Sequence, residues 1–167
     1  LTYKTTAPIG YKFDKGKGLS LDIEHCIKDT SSYTILIQAM VQDVSNWRRI
    51  VSSTDWGDKG LFIHNGKLSI YPSASNLKCD GLIRPDYVYT FGMSRSDKGE
   101  IKIYLNGYLC ATGSPTWANG YKLKDDNVDF FADSSSQYMT GGVIRRIQIW
   151  DKTLTDKEIG TQSGCKP

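Results

Sequence analysis

Two Asn-Gly dipeptides, Asn65-Gly66 and Asn106-Gly107, each lie between runs of β-branched, aromatic and apolar residues. They constrain the chain more than any other feature. Both residues of such a pair tolerate the positive φ of a type I′ turn, whose twist suits paired strands, so each marks a tight hairpin. The first joins LFIH (61–64) to KLSIY (67–71), and the second joins EIKIYL (100–105) to YLCATG (108–113). Asp97-Lys98-Gly99 supplies a further turn of the three-residue kind, ahead of EIKIYL and behind YVYTFGMSRS (87–96).

The rest of the chain follows the same grammar. In YTILIQAMVQD (33–43), Ile35, Ile37, Ala39 and Val41 alternate with Thr34, Leu36, Gln38 and Met40, the period of a strand with one strongly buried face. YKFD and LSLDIEH precede it; RIVSST, VDFFAD and GGVIRRIQIWD follow. In the last of these, Arg145-Arg146 offsets the apolar positions and predicts a bulge. Only the end reads as helical: Thr155 as N-cap and Glu158 three residues on form a capping box, and Gly160 is expected to stop the turn at once. About ten short strands separated by turn signals predict an all-β chain, an antiparallel two-sheet β-sandwich or jelly roll with one short C-terminal helical turn. The 167 residues fit one such domain over 1–167, and 10 Tyr, 4 Trp and 16 Gly suit its pleated faces and turns.

Charge and cysteine usage narrow the function classes. The 21 basic and 18 acidic residues are scattered, with no basic run longer than Arg48-Arg49 or Arg145-Arg146, so no nucleic-acid stripe is present. No stretch reaches the roughly 20 apolar residues of a membrane-spanning helix, so no membrane insertion is expected. Cys26, Cys79, Cys110 and Cys165 are isolated, without the short spacings of a zinc site. An even set of isolated cysteines reads as two disulfides made in an oxidising compartment, with buried free thiols as the alternative and the connectivity open. These features predict a secreted or cell-surface protein. The absence of an initial Met and of a signal-like segment predicts a processed chain or a module of a larger extracellular protein.

The order of these segments resembles the laminin-G/pentraxin-like branch of the concanavalin A-like lectin/glucanase superfamily. IKIYLNG (101–107) and, most specifically, GGVIRRIQIWDKTLTDKEI (141–159) carry the likeness. The resemblance implies that Ile147, Ile149 and Trp150 face a core, and that Leu154 and Ile159 pin the terminal turn to the sandwich. It implies chain ends that lie close together, hence a Cys26–Cys165 bridge, and a second bridge, Cys79–Cys110. Calcium is a common cofactor of the resembled family. Asp125, Asp126, Asn127, Asp129 and Asp133 offer the oxygens that a hard cation needs, although Arg145-Arg146 stand where many relatives carry acidic residues and a solvated acidic loop is the default reading.

A fold of this kind hosts enzymes and binders alike. Its glucanases carry an E-x-D-x-x-E strand that holds two carboxylates about 5 Å apart. The nearest segment here, Leu21-Asp22-Ile23-Glu24, lacks the second Glu, and the chain has only Glu24, Glu100 and Glu158. No catalytic residues are therefore assigned. Tryptophans in loop-like segments suit recognition instead, because sugar C–H faces stack on aromatic rings while Asp and Asn read hydroxyls. Trp47, Asp55, Trp56, Asp58, Trp117, Asn119 and Tyr121 are the candidate ligand residues, against the plainer reading of each Trp as a plug of the core. The sequence thus predicts a lectin-like, non-catalytic recognition module for a glycan or glycoconjugate, with a protein-interaction or adhesion module that takes a protein receptor as the alternative.

Overall fold

The computed structural model describes residues 9–52, 59–72, 77–113, 121–123, 126–132 and 138–164. Among them eleven strands and one helix appear: β1 Tyr11–Phe13, β2 Leu19–Asp22, β3 Tyr33–Val41, β4 Trp47–Ser52, β5 Gly60–His64, β6 Lys67–Tyr71, β7 Val88–Arg95, β8 Ile101–Leu105, β9 Tyr108–Thr112, β10 Asn127–Phe130, β11 Gly142–Trp150 and α1 Asp156–Gln162. They form two antiparallel sheets, one of six strands in the order β1-β11-β3-β7-β8-β9 and one of five in the order β2-β10-β4-β5-β6. The expected two-sheet sandwich is the observed architecture.

Alternation decides which side chains meet between the sheets. Ile35, Ile37, Ala39 and Val41 of β3 pack there with Leu61, Ile63, Leu68 and Ile70 of β5 and β6, and with Phe91, Met93, Val128 and Phe130. Both Asn-Gly turns form as expected: Asn65, Gly66, Asn106 and Gly107 all have positive φ, between 49° and 85°. Asn106 adds a second function, because its Oδ1 accepts the Thr90 N–H at 2.9 Å and ties the turn to β7. The predicted bulge is present as a register shift between Ile144 and Arg146 against β3. A similar shift between Arg49 and Val51 lets β4 send two consecutive residues, Ile50 and Val51, into the core.

The helix differs from expectation in length. Thr155 caps it, with the reciprocal Glu158 contact in place, but Gly160 lies inside it and the helix runs on to Gln162. Gly164, at φ 78°, follows its end. α1 lies against the outside of the six-stranded sheet. There Leu154 and Ile159 bury against Leu36 and Tyr104, so these two residues do pin the helix. Gly92 makes the seat: a Cβ there would come within 2.8 Å of Leu36 Cδ2 and 3.0 Å of Tyr104 Cβ. Trp150 belongs to this outer cluster rather than to the main core, while Ile147 and Ile149 pack partly against the core. Strand alternation is the reason, since Trp150 follows Ile149 by one residue.

Among the described residues one disulfide is seen, between Cys79 and Cys110, 31 residues apart in sequence. Cys26 is exposed and has no disulfide partner among the described residues; Cys165 lies outside them.

Candidate ligand-binding face

The outer face of the five-stranded sheet carries the side chains that alternate with the core residues of β4, β5 and β6. With Leu61, Ile63, Leu68 and Ile70 turned inward, Phe62, His64, Ser69 and Tyr71 point outward. Trp47 is the register partner of His64, and Arg49 that of Phe62. These residues build one aromatic cluster. The Trp47 indole and the His64 imidazole stack face to face, 3.9 Å between centroids and 2° from parallel. Tyr71 meets Trp47 at 5.0 Å and 70°, and Phe62 meets it at 5.8 Å and 86°. Tyr138 approaches Phe62 edge-on, and the Arg49 guanidinium lies 5.2 Å from the Phe62 ring centre. Phe62 is buried beneath the others, at 1% exposure, whereas Trp47, His64, Tyr71 and Tyr138 remain half-exposed.

The neighbouring strands make the same face polar. Asn127 and Asp129 of β10 point outward between the inward Val128 and Phe130, with Ser20 and Asp22 of β2 beside them. Asn127 Nδ2 donates to Ser20 Oγ at 3.1 Å. Rings that offer apolar faces thus share a sheet face with the Asn127 amide, the Ser20 hydroxyl and the Asp22 and Asp129 carboxylates, groups capable of directional hydrogen bonds.

A rigid rim supports the Trp47 end. Arg48 Nε donates to Asp43 Oδ2 at 2.8 Å, and its Nη2 reaches the same oxygen and Ser45 Oγ. Partial burial pushes the Asp43 carboxyl up, but hydrogen bonds from Ser45 and Arg48 outweigh it and hold Asp43 below the ordinary carboxylate value. Asn46 N–H donates to Asn65 Oδ1 at 2.8 Å, which joins this rim to the first Asn-Gly turn.

The ligand residues expected from the sequence are distributed unevenly. Trp47 lies in the cluster. Tyr121 does not lie on a ligand-accessible surface: it is 2% exposed, and its hydroxyl donates to the Pro72 carbonyl at 3.0 Å. Its own carbonyl accepts from Tyr33 at 2.7 Å, and burial pushes its phenol up to about 12. Tyr121 is therefore a core residue that anchors its segment. Asp55, Trp56, Asp58, Trp117 and Asn119 lie outside the described residues. Of the acidic set, Asp125 and Asp133 also lie outside. Asp126 is exposed ahead of β10, with its carbonyl bonded to Ile23 N–H, while Asn127 and Asp129 are on the sheet face. Among the described residues no three His, Cys, Asp or Glu side chains come together as a metal site, so the described part of the set does not form a calcium cage.

Sequence reasoning missed Arg49, Phe62, His64, Tyr71 and Tyr138. The signal for three of them was available in LFIHNGKLSIY, where the residues alternating with Leu61, Ile63, Leu68 and Ile70 include Phe62, His64 and Tyr71.

Comparison with known proteins agrees with this architecture. Over nearly its whole length the chain is similar to the CBM40 domain of the Ruminococcus gnavus IT-sialidase bound to α2,3 sialyllactose, with 19% identity, 98% of each chain covered and a TM-score of 0.63. It is also similar to the heptameric SAP-like pentraxin of Limulus polyphemus, with 15% identity, 97% of this chain and 80% of that chain covered, and a TM-score of 0.62. Trypanosoma rangeli sialidase matches with 15% identity and a TM-score of 0.69 over 96% of this chain but only 28% of its own. No curated protein matches the sequence. The Laminin_G_3 family model, described as concanavalin A-like lectin/glucanases superfamily, matches residues 13–160. With two antiparallel sheets, the terminal helix pinned by Leu154 and Ile159, and this match over most of its length, the chain belongs to the concanavalin A-like lectin/glucanases superfamily through its Laminin_G_3 family.

Proposed function

We propose that this domain is a non-catalytic recognition module that binds glycans through the outer face of its five-stranded sheet. The observation that carries the reading is the half-exposed cluster of Trp47, His64 and Tyr71 on the sheet face that also bears the polar Asn127 and Asp129. Similarity to a CBM40 domain bound to sialyllactose supports it. Two of the three glutamates are taken up locally: Glu24 is exposed in a turn after β2, with its N–H on Asp22 Oδ1, and Glu158 is held by the Thr155 cap. The Cys79–Cys110 disulfide supports a secreted or cell-surface location, where such bonds persist.

A second reading, a protein-interaction or adhesion module, draws on a different observation. Leu82, Tyr108 and Leu109 are large apolar side chains exposed at 59%, 69% and 42%. Exposed apolar groups at this density mark contact surfaces when they are contiguous.

A glycan array probed with the folded, oxidised domain, with calcium and then with chelator, separates the two. Binding to defined glycans that falls when Trp47 or Tyr71 is replaced supports the first. A blank array with demonstrably folded protein overturns it, and dependence of any hit on calcium would bring the acidic set from Asp125 to Asp133 into the site.

A further inference from the structure

Each Asn-Gly turn holds more than its own hairpin. In the second turn, the Asn106 N–H donates to the Thr90 carbonyl at 2.7 Å while its Oδ1 accepts the Thr90 N–H at 2.9 Å. One asparagine thus takes both main-chain groups of a residue in β7. The first turn does the same to a residue beside the aromatic cluster. The Asn65 N–H donates to the Asn46 carbonyl at 2.9 Å, and its Oδ1 accepts the Asn46 N–H at 2.8 Å. Gly66 extends the grip by donating to the Val44 carbonyl at 2.8 Å. Asn46 itself is left-handed, with φ 50°, so a strand partner does not serve its N–H and a side chain does.

This grip is adjacent in sequence to both stacked rings. Asn46 precedes Trp47 and Asn65 follows His64, while Trp47 and His64 are the terminal register pair of β4 and β5. Asn65 Nδ2 also lies 3.3 Å from His64 Nε2. On the far side of the indole, Arg48 Nη1 donates to the Trp47 carbonyl at 2.9 Å, and Asp43 holds Arg48 in turn. The main chain is therefore tied on both sides of Trp47, where the two rings lie 3.9 Å apart and parallel.

We infer that Asn65 is a positioning residue for the glycan site, whose side-chain oxygen holds the Trp47–His64 pair in the pose that a saccharide meets; this rests on the glycan-binding reading above. Rings fixed before the ligand arrives lose less freedom when it binds. The hairpin itself does not need the amide, since Gly and Asp also adopt the positive φ of a type I′ turn. The grip on Asn46 and the turn are thus separable: Asn65→Gly keeps the turn and removes the acceptor, and Asn65→Asp keeps both.

The test is the glycan array, read as a concentration series of the folded, oxidised domain over the immobilised glycans. Asn65→Gly is expected to bind about five-fold more weakly, the size of one lost hydrogen bond. Asn65→Asp should restore binding to within about two-fold of the wild type, because its carboxylate accepts the same N–H. Asn106→Gly breaks the equivalent grip on the six-stranded sheet and serves as the control for lost stability, with binding unchanged. Wild-type binding by Asn65→Gly, equal weakening by Asn106→Gly, or no rescue by Asn65→Asp overturns the inference and leaves the glycan reading intact. Should Asn65→Gly not fold, hydrogen exchange of the wild type decides: the Asn46 amide should exchange slowly although the residue is exposed, and exchange at the rate of an unstructured amide overturns the inference. A blank array for folded wild type overturns both readings.

Discussion

Cys79, next to the Lys78 that bridges to Ser69 of β6, is bonded to Cys110 of β9. The Cys79 N–H donates to the Leu68 carbonyl of β6 at 2.8 Å, while Cys110 lies in β9 at the edge of the six-stranded sheet. Their Cα atoms are 4.8 Å apart. The bond closes the side of the sandwich where β6 and β9 are both edges, next to Leu77 and the inward Ala111. Closing a loop of 31 residues contributes about 3 to 4 kcal/mol in the chain-entropy model. Cys110→Ser is expected to lower unfolding free energy by about 2 to 4 kcal/mol, measured by urea titration. An unchanged midpoint would show that the bond adds nothing to the closure already made by side-chain packing.

Acid should loosen α1 before it unfolds the sandwich. Tyr104 Oη and Lys102 Nζ both donate to Asp156 Oδ1, at 2.8 and 3.1 Å. Partial burial pushes Asp156 up, but these bonds outweigh it and hold the carboxyl below its ordinary value of 3.8. A depressed carboxylate adds stability above that value and loses it as pH falls through the folded one. Because Asp156 is largely exposed, the contribution is under about 1 kcal/mol. Asp156→Asn should therefore be less stable than wild type at about pH 7 and nearly equal to it at about pH 2, as read by chemical denaturation. A constant gap across that range would rule out this linkage.

Gly92 is predicted to be intolerant of any side chain. Leu36 and Tyr104 close over it, and both carry α1, so Gly92→Ala should cost about 1 to 3 kcal/mol through displaced packing. The measurement is thermal or urea unfolding of the variant. Full stability would mean that Leu36 can change rotamer without unseating the helix.

On the candidate face, Trp47→Ala and Tyr71→Ala should each reduce glycan binding at least about ten-fold while far-ultraviolet circular dichroism and cooperative unfolding keep their native form. Binding that survives both changes would move the site off this face and towards the other sequence candidates, Asp55, Trp56, Asp58, Trp117 and Asn119.

We also predict a Cys26–Cys165 bridge. A peptide map of the unreduced protein should recover the two cysteines in one linked species. Alkylation of Cys26 without prior reduction would refute it.

The strands, both hairpins and the β11 bulge were legible because each follows from a local rule: a turn residue that takes positive φ, or an apolar period that slips by one. The disulfide partner of Cys79 was implied only by the family resemblance. What local rules misjudged was sidedness. Tyr121 reads as a polar-tipped ring in a loop, yet hydrogen bonds from Tyr33 and to Pro72, residues 88 and 49 positions away, draw it into the core. The resemblance implied a core place for Trp150 alongside Ile149, but one step along a strand is a change of face. Gly160 reads as a helix stop, yet Ile159 beside it is fully buried against Leu36 and Tyr104, and tertiary packing carries the helix past the glycine. The aromatic cluster was hidden for a related reason, since Trp47 and His64 are 17 positions apart and meet only through the β4–β5 register.

The register shift between Ile103 and Tyr104 in the β8–β9 pair has a bearing on how the molecule keeps to itself. β9 is an edge strand bearing the exposed Tyr108 and Leu109, a natural template for stacking against other chains. A bulge twists such an edge away from flat pairing, and the Cys110 bond fixes the twisted strand in that pose. Reducing conditions would free it, so self-association through this border is the failure to expect when the sulfur bridge is broken.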